Sequence, residues 1–358
     1  MVVESDLSIM KPTRLSSLAL GGLCLLVSGC ASKPIPTVEV DAAKLKLFKP
    51  LPAIMAAKSG PPSEEMVTLG RTLYFENRLS RSHQFSCNSC HHLDQYGVDN
   101  EATSQGHNGQ RGDRNSPTVY NAASHFVQFW DGRAKDVEAQ AKGPVLNPVE
   151  MAMRSEAHAV ATLKSMPEYV EMFRKAFPGE KDPVTYDNMA AAIGAFERKL
   201  VTPGRWDQFL QGDANALTNE EKAGLNAFLE AGCQACHNGA NLGGTVYQKL
   251  GAVKEYPDQS DTGREKVTKA EADKFLFKVP GLRNIEKTGP YYHNGKVATL
   301  KEAVARMGEY QLGKPLTDAQ QESIVTFLKA LTGKLPTDYI QPPALPKSGP
   351  KTPAPDLT

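Results

Sequence analysis

Apolar residues recur at the spacing of amphipathic helices along most of this chain, and few segments alternate with the period of two typical of strands. One such helix begins near Ser63, and another begins at Thr218, where Glu221 completes a capping box. Their apolar faces comprise Met66, Leu69 and Leu73 in the first and Leu225, Phe228 and Leu229 in the second. Similar patterns occupy residues 136–141, 155–165, 168–177, 186–200, 300–307 and 318–331. The sequence therefore predicts a mainly α protein with long loops.

The beginning of the chain is typical of a targeting segment rather than of the fold. Lys11 and Arg14 precede an apolar run over residues 18–27, which is shorter than the roughly 18 to 20 residues that cross a bilayer. Small residues then lead directly to Cys30, as in a bacterial lipobox, so we expect lipidation there. Ordinary signal cleavage without lipidation is the alternative, and Met10 is an alternative translation start.

The charge balance and the cysteines narrow the function. The chain has 41 basic and 40 acidic residues, a net charge of +1, which argues against nucleic-acid binding because that requires a dense basic face. Of the six cysteines, Cys24 lies within the targeting segment and Cys30 is the predicted lipid site. The remaining four form two Cys-x-x-Cys pairs, so no cysteine is left for a structural disulfide.

Each pair is followed directly by a histidine. The motifs comprise Cys87, Cys90 and His91 in the first and Cys233, Cys236 and His237 in the second. This pattern is typical of c-type haem attachment, in which the thiols bond the vinyl groups and the histidine binds the iron from one face. A zinc site or a redox dithiol is the alternative, but zinc needs further ligands nearby and a dithiol does not need the histidine. We therefore predict two covalently bound haem c groups with His91 and His237 as proximal ligands.

The distance between the motifs predicts two cytochrome c-like haem domains in tandem. They lie 146 positions apart (Cys233 minus Cys87), which leaves room for one compact domain around each. The predicted segments are a lipoprotein signal over residues 1–30, a tether over 31–52, an N-terminal domain over 53–205, a C-terminal domain over 206–340 and a Pro-rich tail over 341–358.

The sixth iron ligands decide the redox potentials. Met307 is the only methionine after Met189, and it stands at the end of a predicted helix, as thioether ligands often do. It is the expected ligand of the second haem, although a core position is the alternative. For the first haem the spacing leaves several histidines open: His83, His92, His107, His125 and His158.

Beyond the haem motifs, the chain resembles the bacterial di-haem cytochrome c peroxidases, a family that includes the enzyme maturing tryptophan tryptophylquinone. The resemblance extends from about Leu69 to Leu331. The segments that carry it are Arg78-Leu79-Ser80, 86–91, Arg114-Asn115-Ser116-Pro117-Thr118, Phe129-Trp130-Asp131-Gly132-Arg133, Asn147-Pro148-Val149-Glu150-Met151, Ala195-Phe196-Glu197-Arg198, 279–284 and Tyr291-Tyr292-His293-Asn294-Gly295.

The resemblance implies roles for residues near the first haem. His107 matches the distal ligand of the N-terminal, low-potential haem, which in many members leaves when the C-terminal, high-potential haem is reduced. Glu150 matches the acid–base group of the distal pocket and Gln140 its amide neighbour. Trp130 matches the tryptophan between the haems, a stepping point for electrons. Met307 matches the peroxidase ligand, whereas the quinone-maturing enzyme has a tyrosine there.

The resemblance also implies a calcium ion, bound by Asn115, Thr288 and Pro290. It predicts a periplasmic, lipid-anchored peroxidase that reduces hydrogen peroxide with electrons from a small cytochrome c or cupredoxin, and a homodimer as in many members. Electrons would enter at the C-terminal haem and pass to the N-terminal haem. The alternatives are a di-haem oxidase that modifies a partner protein and a non-enzymatic di-haem electron carrier.

Overall fold

The computed structural model describes residues 37–57 and 60–358, and within them the chain is mainly helical. The predicted targeting segment and Cys30 lie outside the described residues. In chain order the α-helices are α1 Ala42–Leu45, α2 Glu64–Tyr74, α3 Cys87–Cys90, α4 Val137–Leu146, α5 Glu156–Lys164, α6 Pro167–Ala176, α7 Tyr186–Glu197, α8 Arg205–Leu210, α9 Asn219–Ala231, α10 Glu265–Thr268, α11 Leu300–Arg306 and α12 Asp318–Ala330. None of the helices in this part of the chain is long and apolar enough to cross a membrane.

Strands contribute little to the described residues. β1 Tyr247–Lys249 pairs antiparallel with β2 Leu276–Lys278, and Gln248 lies opposite Phe277. Short 3₁₀ turns occupy Asn77–Leu79, Leu93–Gln95, His107–Gly109, Ala122–Ser124, Cys233–Ala235, Glu271–Asp273 and Ile285–Lys287, and a π-helical turn occupies Met307–Gln311. Long loops join these elements, as the sequence predicts.

The helix that precedes the first cysteine motif begins and packs for identifiable reasons. Ser63 caps α2, since its Oγ accepts a hydrogen bond from the amide of Met66 at 3.2 Å. Gly70 then allows α2 to approach α7 closely, because a Cβ atom at this position would lie only 1.7 Å from the carbonyl oxygen of Ala192. The α2–α7 pair forms the framework beneath the first motif.

The helix that precedes the second motif repeats this arrangement. Thr218 and Glu221 form the predicted capping box, with the amide of Thr218 2.9 Å from the Glu221 carboxylate and the amide of Glu221 3.2 Å from the Thr218 hydroxyl. Gly224 lies against α12, and a Cβ there would fall 2.1 Å from the carbonyl oxygen of Ser323. In both halves, therefore, the helix before the cysteine motif packs closely against another helix, α7 in the first half and α12 in the second, at a glycine.

Buried apolar side chains form two clusters. The first draws on residues 69–200 together with Ile340, and the second on residues 206–331 together with Phe48. Phe48, from the predicted tether, is 5% exposed and packs edge-on against Trp206 at 5.4 Å. Residues 38–358 form one compact unit, and the boundary between two haem domains near residue 205 stays a prediction.

Candidate functional site

The first cysteine motif forms a single helical turn. The amide of His91 donates to the Cys87 carbonyl at 3.1 Å, and Ser86 before the turn donates its amide to Ser89 Oγ at 3.0 Å. Nδ1 of His91 lies 3.3 Å from the Gly97 carbonyl, which leaves Nε2 for a metal. Burial lowers the pKa of His91, so the imidazole is held in the neutral form that binds iron. Burial raises the pKa of Cys90 to about 11.

The second motif has the same geometry. The amide of His237 donates to the Cys233 carbonyl at 3.0 Å, and Nδ1 of His237 lies 3.0 Å from the Leu242 carbonyl. Burial lowers the pKa of His237 and raises that of Cys233 to about 11. The four cysteines of the two motifs are free thiols, as the attachment of haem requires.

A cavity of about 400 Å³ lies beside the second motif. Its volume is in the range of cofactor pockets, roughly 300 to 1,000 Å³, and apolar side chains line most of it. His237 and Met307 both face this cavity. Met307 is the first residue of the π-helical turn, a local distortion frequent at functional sites. The structure therefore brings the two predicted ligands of the second haem to one cavity.

The cavity also contains a buried cation that is not paired with any carboxylate among the described residues. Lys278 is 4% exposed, and its Nζ lies 3.0 Å from Nδ1 of His125. Burial lowers the pKa of Lys278 to about 7, against the opposing charge of Asp131, and Nε2 of His125 has no hydrogen-bond partner. Buried charges and buried polar atoms require partners, so this corner suits an anionic group such as the carboxylates of a haem. The residues present fit the cofactor that the motif implies.

His125 and Lys278 were not identified as a pair from the sequence. His125 is one of the histidines that spacing leaves open as a ligand of the first haem, but the structure places it in the wall of the cavity beside the second motif. The two residues lie 153 positions apart, and no local pattern links them. A buried lysine is rare unless it has a partner, but burial itself becomes visible only in the fold.

His107 and Glu150 are brought together near the first motif by their backbones. The amide of His107 donates to the Glu150 carbonyl at 2.8 Å, and His107 is 3% exposed. The preceding Gly106 permits this approach, because a Cβ there would lie 2.2 Å from the Val149 carbonyl oxygen. Nδ1 of His107 has no partner, while Nε2 lies 3.3 Å from the carbonyl oxygen of Thr358.

Glu150 has the surroundings of an acid–base group. Burial raises the pKa of its carboxyl, while Arg133 and a hydrogen bond from Asn147 oppose the shift. Asn147 Nδ2 donates to Glu150 Oε1 at 2.8 Å and holds the carboxyl at the end of α4. Gln140 lies half-buried on the same helix. Asn147 is a site residue that the sequence analysis quoted within a motif but did not assign.

Trp130 and the predicted calcium ligands line the cavity of the second motif. Trp130 Nε1 donates to the Asn115 carbonyl at 2.9 Å, which fixes the indole ring. Asn115, Thr288 and Pro290 face the same cavity. Asn115 is 8% exposed and its Nδ2 donates to the Glu101 carbonyl at 2.9 Å. Calcium binding at these residues stays a prediction.

An ion-pair network fixes the segment that carries Trp130. Arg114 donates to Asp261 at 2.6 Å and also pairs with Asp131, the residue after Trp130. Although burial alone would raise the pKa of Asp261, the hydrogen bond from Arg114 holds it well below its usual range. The network joins residues from both halves of the sequence through the half-buried Arg114 side chain.

Two Cys-x-x-Cys-His motifs, each with a histidine whose pKa burial lowers, are the features of a c-type cytochrome, and comparison with known proteins gives its family. The sequence model described as di-haem cytochrome c peroxidase matches residues 64–215. Cytochrome c551 peroxidase of Pseudomonas aeruginosa is 49% identical over 348 residues, 94% of this chain and 98% of that protein. Cytochrome c551 peroxidase of Nitrosomonas europaea is 48% identical over 295 residues, 82% of this chain and 87% of that protein.

A solved structure shows the same fold. A crystal structure of a MauG-like protein associated with microbial copper homeostasis matches with a TM-score of 0.73 at 28% identity, covering 82% of this chain and 97% of that one. The chain belongs to the di-haem cytochrome c peroxidase family, which confirms the resemblance noted in the sequence.

Proposed function

We propose that this protein reduces hydrogen peroxide to water with electrons from a small redox protein, a c-type cytochrome or a cupredoxin. The observation that carries the proposal is the half-buried Glu150 carboxyl, whose pKa burial raises, on a residue whose backbone carbonyl accepts a hydrogen bond from the His107 amide. An electron carrier has no use for such a group. Relatives named cytochrome c551 peroxidase support the same activity and a cytochrome donor.

The residues of the two motifs would hold the haems through four thioether bonds, with His91 and His237 as the proximal ligands and Met307 as the sixth ligand of the second. When bound, the haems supply one-electron redox chemistry and an iron centre at which peroxide is cleaved. A histidine–methionine ligand pair favours a high potential, which suits the site that accepts electrons from the donor.

Glu150 would act as the proton carrier of the reaction. Its carboxylate takes a proton from one peroxide oxygen and its acid form delivers that proton to the other, which leaves as water. The hydrogen bond from Asn147 orients the carboxyl, and burial raises its pKa, which favours the acid form. Gln140 would donate a hydrogen bond to the developing negative charge.

Trp130 is the proposed stepping point for electrons between the two sites. Its indole is fixed by the hydrogen bond to the Asn115 carbonyl, and its neighbour Asp131 is fixed by Arg114. A rigid aromatic ring on the wall of the His237 cavity suits electron transfer because it needs no reorganisation. Calcium at Asn115, Thr288 and Pro290 would stiffen the same segment.

The proposal is tested by replacing Glu150 with Gln. We expect peroxide reduction with a reduced cytochrome donor to fall by about 10² to 10⁴, the usual contribution of general acid–base catalysis. Glu168→Gln, on the exposed face of α6, is the matched control for loss of a carboxylate. An E150Q protein with undiminished turnover would exclude the proposed proton carrier, whatever the haem content.

The location and assembly are proposed from the sequence. A signal segment and a lipid on Cys30 would hold the protein at a membrane in the periplasm, and homodimers are expected from the family. Mass spectrometry of the mature N-terminus after expression of the wild type and of Cys30→Ser distinguishes a diacylated protein from a simply cleaved one.

A further inference from the structure

The predicted Pro-rich tail does not extend away from the fold but runs along the first half of the chain. Arg78 Nη2 donates to the Pro346 carbonyl at 2.7 Å, and its Nη1 donates to Ser348 Oγ at 2.9 Å. Farther along, the hydroxyls of Thr352 and Ser165 lie 2.8 Å apart. These contacts lead the tail toward the loop that carries His107.

Asp356 fastens the end of this path. Its carboxylate accepts from Arg81 Nε at 2.7 Å and from Arg154, and its amide donates to the Arg81 carbonyl at 2.9 Å. Arg81 in turn donates its own amide to the carbonyl of Met151, next to Glu150, at 2.8 Å. Asp356 therefore connects the tail to the segment that holds the proposed acid–base group.

Two residues later the tail reaches His107. The carbonyl oxygen of Thr358 lies 3.3 Å from Nε2 of His107. A carbonyl only accepts hydrogen bonds, so Nε2 must carry the proton and its lone pair is not available to a metal. The other nitrogen, Nδ1, stands next to Cβ, where the side chain's own backbone crowds a planar macrocycle. Thr358 and an iron atom therefore compete for the same nitrogen.

We propose that residues 356–358 position His107 by hydrogen-bonding its Nε2 atom away from the haem iron. They would thereby set the fraction of molecules in which one face of the N-terminal haem is open. This inference rests on the proposed role of His107 as a distal ligand. Asp356 anchors the segment through Arg81 and Arg154, and the Thr358 carbonyl makes the contact. The tail thus favours the reactive state of the site.

The size of the expected change in spin state follows from the loss of one hydrogen bond, the one between His107 Nε2 and Thr358. A single hydrogen bond contributes modestly in net terms, so its loss should change the ratio of released to bound His107 by roughly two- to tenfold. The change should favour bound His107, which gives a low-spin, six-coordinate N-terminal haem. The spin state therefore reports on the tail independently of turnover.

The experiment compares the full protein with a variant lacking residues 356–358 and with Asp356→Asn, each reduced only at the C-terminal haem. The high-spin fraction of the N-terminal haem is measured by electron paramagnetic resonance and absorption. We expect it to fall in both variants and to recover in Asp356→Glu. Thr352→Val, which removes a tail contact to Ser165 away from His107, is the matched control and should leave the fraction unchanged.

The outcomes separate this inference from the proposed function. Should the high-spin fraction stay the same without residues 356–358, the tail does not position His107, even if the wild type consumes peroxide. In a His107→Gly protein, removal of residues 356–358 should leave the high-spin fraction unchanged. A change in that fraction would overturn the proposal, because the tail would then act without His107. Absence of peroxide reduction by the wild type would count against the peroxidase instead. Thermal unfolding of each variant shows whether it is folded, and D356N keeps the test intact if the truncated chain is not.

Discussion

Replacing Gly70 with Ala should destabilise the first half of the protein although alanine is the better helix former. The added Cβ would lie 1.7 Å from the Ala192 carbonyl oxygen and 3.0 Å from Cβ of Phe196, both on α7. The first distance is far inside van der Waals contact, so α2 must move away from α7. Overpacking of this kind costs about 1 to 3 kcal/mol or more, and the helix propensity of alanine returns about 1 kcal/mol.

With the cost at the upper end of this range because of the 1.7 Å approach, we expect a net loss of about 2 kcal/mol in the free energy of unfolding, a decrease of roughly 4 °C in melting temperature for a protein of this size. Movement of α2 should also reach the haem site, because the Tyr74 hydroxyl at its end donates to the His91 carbonyl at 2.9 Å. The absorption of the N-terminal haem should broaden or shift while that of the other haem stays the same.

The assay is thermal unfolding of the holoprotein followed by far-ultraviolet circular dichroism and haem absorption. Gly179→Ala is the control, because its Cβ would meet nothing within 4 Å and its backbone lies outside the left-handed region. If Gly70→Ala unfolds at the same temperature as Gly179→Ala, the close approach of α2 and α7 does not hold the first half together and the reasoning is wrong.

Three further predictions concern buried charges. Lys278→Met should lower the midpoint potential of the C-terminal haem, because loss of a buried cation favours the oxidised state. The expected decrease is on the order of 59 mV, which is a tenfold change in the equilibrium constant for one electron. Redox titration measures it, with Lys274→Met, whose side chain is 39% exposed, as the control. Glu197, whose pKa burial raises to about 8, should stabilise the fold fully below about pH 4 and lose that contribution as the pH rises toward 8, whereas urea unfolding of Glu197→Gln should show a flatter pH dependence. Arg114→Ala removes the partner that Asp131 and Asp261 share and leaves them with Arg133 and Lys266 alone, which should cost about 2 kcal/mol; an unchanged urea midpoint would contradict this.

The helices were the most predictable part of the fold, because their signals are local. The periodic segments over 168–177 and 318–331 match α6 and α12 to within one residue at either end, and the capping box at Thr218 marks the start of α9. The prediction was wrong where a helix appeared to stop at Ala141, since α4 continues to Leu146 through Pro144. Proline lacks an amide proton, so Pro144 cannot donate the helical hydrogen bond to the carbonyl of Gln140, and α4 continues without it.

The chemistry of the site was predictable only in part. The cysteine motifs and Met307 have sequence signals, and the structure places His237 and Met307 at one cavity. The pairing of Lys278 with His125 has no such signal, since it depends on which chain segments are buried together. Proline content predicts an extended tail with no core of its own, and residues 341–358 contain no helix or strand, but composition carries no information about the surface on which an extended chain lies.

The two haem sites differ because similar helix frameworks support different surroundings. Gly70 and Gly224 seat the preceding helices in the same way, and both motifs turn their histidines toward a backbone carbonyl. Met307 directly follows α11, whose Leu300 and Val304 pack in the second cluster, so its backbone is held by a helix anchored in the core. His107 instead lies in a loop held by single hydrogen bonds, two of which it donates to residues far along the chain, and bonds of about 1 kcal/mol each can exchange partners. Under the proposed function, the setting of Met307 would suit a site that accepts electrons without rearranging, whereas the exchangeable bonds of His107 would suit a site that opens to peroxide.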